Sequence, residues 1–367
     1  MISIDTVYMQ RALELSKKGI GYTNPNPLVG AVIVKEGRII GEGYHKYLGG
    51  PHAEIDAFQN AIEDVSGSTM YVTLEPCSHY GRTPPCAETI VKNKISKVVV
   101  ATTDPNPLVA GRGIQVLREH GIEVITDILK DEAMKINEIF IKYISTKKPF
   151  CIMKTAMTLD GKIATASGQS KWITGEASRT VVHQLRHRVS GIMVGIGTIL
   201  KDDPSLTTRL DAIEGMDPIR VIVDSKARIP LNVKVLNLKS NAKTIIVTTE
   251  LADSKKLKAL KEKNAKIIIT PLKNDRVDLP YLMKQLGEMG MDSILLEGGS
   301  ELNFSAVESS IVDKVIAFVA PKIVGGKLSK TPVGGLGIEH LSEAYVLDDL
   351  KVSIVSEDIM IEGYPRR

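Results

Sequence analysis

Short runs of aliphatic and β-branched residues, each followed by a segment of helical length, recur along the whole chain, and this alternation limits the fold more than any other feature. Strands separated by helices imply largely parallel sheets covered on both faces. In the first half, Asp5 is expected to cap a helix that ends at Gly19, with Val7, Met9, Ala12, Leu13 and Leu15 as its apolar stripe. LVGAVIV and RIIGEGY then read as two strands joined by a tight turn at Glu36 and Gly37. A helix over 52–64, the strand MYVTL, a helix over about 83–93 and the strand KVVVAT follow. A helix over 111–120, the strand IEVIT and a helix over 131–144 complete a three-layer α/β/α domain.

The polar, proline-bearing stretch STKKP interrupts the pattern at 145–149 and marks the expected boundary. A second alternation begins at once. FCIMKTAMT, GIMVGIG, IRVIVD, AKTIIVTT, AKIIIT, DSILLEGG and DKVIAFVAP are strand-like, with helices near 176–188, 253–263, 278–289 and 300–309. Domains of 1–146 and 147–367 are therefore expected, each long enough to bury its own core.

Composition excludes several classes of function. The formal charge is +4, from 47 basic and 43 acidic side chains, so no single-sign excess points to nucleic acid or to a membrane surface. The first 147 residues hold 16 basic and 17 acidic groups against 31 and 26 in the rest, which makes the second half the better host for a polyanionic ligand. The N-terminal stretch lacks a cationic region followed by an apolar block, and no apolar run of about 18 residues occurs. Three cysteines make no disulfide framework. A cytoplasmic enzyme with a small-molecule substrate is the expectation.

The strongest chemical signal is His52-Ala53-Glu54, followed by Glu75-Pro76-Cys77 and then Cys86. One imidazole and two thiolates are a favourable soft donor set for one Zn²⁺ per chain, and three protein ligands leave the fourth tetrahedral position to water. Glu54, two residues after a ligand, is placed to take a proton from that water and return it to a leaving amine. The blander alternative is a closed structural site with a fourth ligand such as His79 and an incidental Glu54. Structural sites usually carry two CxxC-like pairs, and this chain has one isolated pair.

These residues resemble the HxE…PCxxC pattern of the cytidine deaminase superfamily. The two cysteines here are separated by eight residues rather than two, so a loop carrying His79 and Arg82 is inserted beside the metal. That loop argues against a nucleic-acid editor. With TNPNPLVGAVIV, GGPHAE, TLEPCSHYGRTPPC and DPNPLVAGRG in order, the chain is identified as a member of the bifunctional riboflavin-biosynthesis deaminase/reductase family, over essentially its full length. The resemblance implies hydrolytic removal of the 2-amino group of 2,5-diamino-6-ribosylamino-4(3H)-pyrimidinone 5′-phosphate. It also implies NADPH-dependent reduction of the ribosyl chain to give 5-amino-6-ribitylaminouracil 5′-phosphate. A cytidine-deaminase-like N-terminal domain and a C-terminal domain similar to dihydrofolate reductase follow. A homo-oligomer with no nucleic-acid or membrane partner is also expected.

Carried over residue by residue, the resemblance implies deaminase substrate contacts at Asn24, His45, His79, Arg82 and Asp104. For Asn24 and Asp104 the alternative is a turn-forming role. In the second half there is no GxGxxG, which disfavours a Rossmann dehydrogenase, and the Gly-Gly of LLEGGSELN is by itself only a weak phosphate-loop signal. KTAMTLDGKIA, SGQSKWIT, VGIGTILKDDPSLTTR and LLEGGSELN nevertheless resemble the reductase's motifs in order. The resemblance assigns Ala156, Trp172, Thr198, Asp202, Ser225, Gly299, Ser300, Glu301, Leu302 and Asn303 to the cofactor. It assigns Lys154, Ser170, Arg186, Leu206, Arg209 and Glu297 to the substrate, the two arginines matching a phosphate monoester. Core packing is the alternative for Trp172, and Lys226 and Arg228 are alternatives to Ser225 at the cofactor's 2′-phosphate. Cys151 reads as a small buried hydrophobe. His183 and His187, one helical turn apart, lack a third metal ligand. Two rival functions are a nucleic-acid deaminase, disfavoured by near-neutral charge, and a non-catalytic zinc module, which has no use for Glu54.

Overall fold

The structure is a computed structural model of the chain and describes residues 3–80, 84–106 and 110–366. The chain divides into two compact units, Met1–Lys147 and Lys148–Arg367. Among the described residues no helix is long and apolar enough to cross a membrane.

In the first unit, α1 (Ile4–Ser16) is followed by β1 (Gly30–Lys35), β2 (Arg38–Tyr44), α2 (Ala53–Gln59), β3 (Thr69–Val72), α3 (Cys86–Lys92) and β4 (Lys97–Val100). Then come α4 (Arg112–Glu119), β5 (Glu123–Ile125), α5 (Lys130–Ile136) and α6 (Glu138–Thr146). Ser3, not Asp5, caps α1, accepting from the Thr6 N–H; Asp5 lies in the first turn and accepts from the Tyr71 hydroxyl at 2.6 Å. The sheet order is β2-β1-β3-β4-β5, antiparallel at β2/β1 and β1/β3 and parallel at β3/β4 and β4/β5. It is thus mixed rather than largely parallel, because a hairpin between adjacent strands needs no crossover helix. Ala31 and Ile33 pack with Ala57, Ile90 and Leu117 on one face, whereas Val32 and Val34 pack with Leu13 and Ala133 on the other. Alternation along β1 therefore feeds two cores and produces three layers.

The second unit begins with β6 (Phe150–Thr158), α7 (Glu176–Arg188), β7 (Gly191–Gly195), α8 (Ile196–Asp202), β8 (Ile219–Val223), α9 (Lys234–Asn237) and β9 (Thr244–Thr248). It continues through α10 (Ser254–Glu262), β10 (Lys266–Ile269), the small pair β11 (Leu272–Lys273) and β12 (Arg276–Val277), α11 (Leu279–Glu288) and β13 (Ser293–Gly298). The last elements are α12 (Ser300–Glu308), β14 (Lys314–Ala320), β15 (Leu347–Val355) and β16 (Asp358–Pro365). Nine strands are ordered β10-β9-β8-β7-β13-β6-β14-β16-β15, parallel as far as β14 and antiparallel thereafter. Met153, Met193, Val221 and Leu296 pack under α11 and α12, while Ile192, Val194, Ile222 and Ile246 form a separate core with Ile199 and Leu260. Cys151 is fully buried in the first of these cores, as expected. The α/β class thus holds as expected, and the closing hairpin of β15 and β16 is an addition to the alternating pattern.

Candidate functional site

Helix starts place the metal ligands of the first unit. His52 is the N-cap of α2, which puts Glu54 on that helix's first turn, and Cys86 opens α3. Cys77 comes from the loop after β3. The His52 Nδ1 lies 3.3 Å from Cys86 Sγ and 3.5 Å from Cys77 Sγ, and the three donor atoms all fall within 4.8 Å of one another. These are edges of the size a tetrahedral site with bonds of about 2.1 Å to nitrogen and 2.3 Å to sulfur would have. The Cys86 N–H also donates to Cys77 Sγ at 3.3 Å, a bond that favours thiolate. Hydrogen bonding from Cys86 and then from His52 holds the Cys77 thiol well below its ordinary range, while Cys86 beside it is pushed up. One imidazole nitrogen and two sulfurs converging at these distances are a soft donor set that fits zinc. Glu54 is 3% exposed, and burial raises its carboxyl to about 7.

His45, at the edge of β2, stacks edge-on to His52 with ring centroids 5.8 Å apart. Its Nδ1 lies 2.9 Å from the Pro51 carbonyl, which only accepts, so the proton sits there and Nε2 accepts from Asn26 Nδ2 at 3.1 Å. Burial keeps this ring below its usual pKa and neutral. Asn24 lies in the turn between α1 and β1, His79 is exposed in the loop after Cys77, and Arg82 lies outside the described residues. Asp104, past the end of β4, is half-buried; burial raises its carboxyl first, with Glu75 and Cys77 adding to the rise and His79 opposing it. His52, Glu54, Cys77 and Cys86 are therefore brought together, with Asp104 and His79 in electrostatic reach. Glu75 was read only as part of the Glu75-Pro76-Cys77 motif, with no role of its own, and Asn137 was not singled out at all. Asn137 exchanges hydrogen bonds with both backbone groups of Leu28 at 2.8 and 2.9 Å, fixing the end of the Asn24 segment.

In the second unit the expected residues lie on the parallel strands, in the segments just beyond them, or on the helices that follow. Lys154 and Ala156 lie on β6, Glu297 on β13, Ser225 just beyond β8, and Thr198 and Asp202 on α8. Ser170 and Trp172 lie between β6 and α7; Trp172 is 65% exposed, with the Arg179 guanidinium 4.6 Å from its ring centroid, so it is not a core residue. Arg186 meets Glu297 in a two-bond fork of 2.6 and 2.9 Å and donates its remaining terminal nitrogen to the Thr207 carbonyl at 2.9 Å. Burial would raise the Glu297 carboxyl, but Arg186 outweighs it, and with Lys154 holds it at about 2. Lys154 is itself lowered, chiefly by burial. Arg209 is exposed, and its guanidinium and backbone N–H both reach the His183 ring at 3.2 Å. Leu206 is buried beneath this loop.

Gly298 and Gly299 have φ of +67° and +109°, a backbone that side chains rarely adopt, and they turn β13 into α12. Thr198 Oγ1 donates to the Gly298 carbonyl at 3.1 Å. Ser300, Glu301, Leu302 and Asn303 form the first turn of α12; Asn303 is 4% exposed, and its Oδ1 meets no hydrogen-bond partner among the described residues. A glycine turn into a helix N-terminus beside an orphaned buried acceptor fits a phosphate-bearing cofactor with hydroxyl or amide donors.

Known proteins resemble both units. A model of the RibD C-terminal domain matches residues 149–361, and a model of the cytidine and deoxycytidylate deaminase zinc-binding region matches residues 2–102. The riboflavin biosynthesis protein RibD of Actinobacillus pleuropneumoniae is 49% identical over 98% of this chain and 94% of its own, and that of Aquifex aeolicus 45% over 98% of each. RibD of Acinetobacter baumannii superposes with a TM-score of 0.88 at 38% identity over 99% of both chains. A diaminohydroxyphosphoribosylaminopyrimidine deaminase/5-amino-6-(5-phosphoribosylamino)uracil reductase of Thermotoga maritima does so with 0.86 at 40%, over 99% of both chains. A zinc-type deaminase region and a reductase domain in one chain, matched from end to end, make this chain a member of the RibD family, the bifunctional deaminase/reductases of riboflavin biosynthesis, which use zinc and NADPH.

Proposed function

We propose that residues 1–146 deaminate 2,5-diamino-6-ribosylamino-4(3H)-pyrimidinone 5′-phosphate and that residues 147–367 reduce the ribosyl chain of the product to ribityl. The observation that carries this reading is the buried Glu54 carboxyl beside the His52, Cys77 and Cys86 donor triangle. Zinc, when bound there, supplies a Lewis acid that lowers the pKa of water. Glu54 carries one proton of the water to the pyrimidine ring nitrogen and the other to the departing amine, a task suited to a carboxyl held near neutrality. Asn24, His79, Arg82 and Asp104 hold the base and its ribosyl phosphate. His45, whose ring is oriented by the Pro51 carbonyl and Asn26, is assigned to the substrate as well.

In the second unit NADPH, when bound, would supply hydride for C1′ of the ring-opened imine, whose nitrogen takes its proton from a nearby acid or water, and the protein's part is positioning. Ala156, Trp172, Thr198, Asp202, Ser225 and the 299–303 turn hold the cofactor. Arg209 meets the phosphate, and Arg186 fixes Glu297, which with Lys154, Ser170 and Leu206 shapes the substrate's polar side. We place the chemistry in a reducing cytoplasm, since Cys77 and Cys86 belong to the metal triangle, which needs both as thiols or thiolates. We also assign a homo-oligomer, for which the edge strand β15, with Val352 63% and Ile354 73% exposed, is a suitable seam. Incubation of purified protein with the diaminopyrimidinone, with and without NADPH, followed by mass analysis tests the two reactions. Ammonia release without cofactor, then a gain of two hydrogens only with it, is expected; hydrogen gain without ammonia release would refute the assignment.

A further inference from the structure

Glu75 stands just past the end of β3, two residues before the ligand Cys77, and is 5% exposed. Its backbone N–H donates to the Thr102 carbonyl at 2.9 Å, tying it to the strand extension that leads to Asp104. Its carboxylate accepts four backbone N–H groups. Oε2 takes those of Asp104 at 3.1 Å and Gly111 at 2.9 Å, and Oε1 takes those of Gly113 at 2.8 Å and Ile114 at 3.3 Å.

Helix α4 has no side-chain cap of its own, since its N-cap is Gly111 at φ +79°. The first N–H groups of a helix must find acceptors elsewhere, and a carboxylate there also meets the positive end of the helix dipole. A serine or aspartate at the N-cap would serve α4 alone. A carboxylate from the metal turn instead fastens both ends of the segment that starts at Asp104 and ends in α4. Gly113 shows how tightly the two parts are pressed, because a Cβ there would lie 1.9 Å from the Pro76 carbonyl oxygen. Asp104 is in turn shaped by its own Oδ1, which accepts from the Asn106 N–H at 2.8 Å.

We propose that Glu75 is a positioning residue of the deaminase: through its four backbone hydrogen bonds it sets Asp104 at the place, relative to the Cys77 turn, that the pyrimidine substrate requires. The proposal rests on the reading of Asp104 as a substrate contact. A glutamine at 75 keeps the shape but turns an NH₂ group toward two of the four donors. In the zinc-loaded full-length protein, Glu75→Gln should raise the deaminase KM about tenfold or more with kcat changed less than about threefold. Zinc content, and reductase activity on the deaminated substrate, should match the parent. In an Asp104→Ala background the same change should add less than about twofold, because its effect passes through Asp104.

An unchanged KM in Glu75→Gln, loss of zinc from the folded variant, or an equal KM effect in both backgrounds would overturn the proposal and leave Glu75 a structural cap. Asp104→Ala alone decides the underlying reading, which fails if that single change leaves KM unaltered. Should Glu75→Gln not fold, Glu75→Asp, which keeps the charge and withdraws it by one methylene, takes its place; a several-fold KM rise supports positioning and an unchanged KM overturns it.

Discussion

A buried carboxyl is useful as a proton carrier only if its environment leaves it willing to hold a proton and to give it up. Burial does this for Glu54 by raising it to about 7, whereas Arg186 does the reverse for Glu297, which stays ionised down to about 2. Two carboxyl groups in one chain are therefore pushed in opposite directions. Glu54→Gln should retain zinc and lose about 10²- to 10⁴-fold in deamination rate, and a metal-loaded variant within about tenfold of the parent would exclude the proton role. For Glu297 the folded pKa lies below the unfolded value of about 4.3, so its contribution to stability is present above that pH and is lost as pH falls through about 2. The difference in unfolding free energy between parent and Glu297→Gln should shrink by about 2.5 kcal/mol between pH 5 and pH 2, read from urea unfolding. A pH-independent difference would mean that the pair with Arg186 does not set the ionisation. His52, Cys77 and Cys86 were legible in the sequence because few residue types bind zinc. The pairing of Arg186 with Glu297 was not, because it depends on α7 and β13 meeting across 111 residues of chain.

Elements show the same divide between local signal and tertiary context. The segment expected as one helix over 131–144 is two, α5 and α6, which break at Asn137. Nothing in its apolar spacing reveals the break. Asn137 is 4% exposed and spends its amide on the Leu28 backbone, a partner 109 residues away. Asn137→Ala should leave one buried N–H and one buried carbonyl unmet and destabilise the first unit by about 2 to 4 kcal/mol in denaturant unfolding. A loss under about 0.5 kcal/mol would mean water replaces the amide at no cost. The β15–β16 hairpin was illegible for a different reason. Most of β15 faces solvent, so its alternation is not that of a core strand, and the polar Asp358 is 2% exposed. Its carboxylate accepts from the Gly175 N–H at 2.8 Å and the Ser178 hydroxyl at 2.6 Å, which caps α7 from the far end of the chain. The parallel strands β6, β7, β8, β9 and β13, buried on both faces, were readable from their apolar runs, as were β10 and β14.

At the scale of the molecule, the two sets of candidate residues belong to different compact units, each with its own sheet and its own pair of cores. On the proposed division of labour the two activities are separable by single substitutions. Cys86→Ser removes one corner of the donor triangle, so zinc and ammonia release should be lost while the deaminated substrate is still reduced at the parental rate. Arg209→Ala removes an exposed guanidinium that reaches the His183 ring and makes none of the contacts of the Arg186–Glu297 pair, so the fold of the second unit should survive. Its expected effect is a rise in KM for the reductase substrate of about tenfold to a hundredfold, the size of one charge-assisted phosphate contact, with NADPH affinity and deamination unchanged. Steady-state kinetics of both half-reactions on both variants form a crossed test. If Arg209→Ala slows deamination as much as it weakens reduction, or if Cys86→Ser abolishes reduction of the supplied intermediate, the two activities do not reside in separate units.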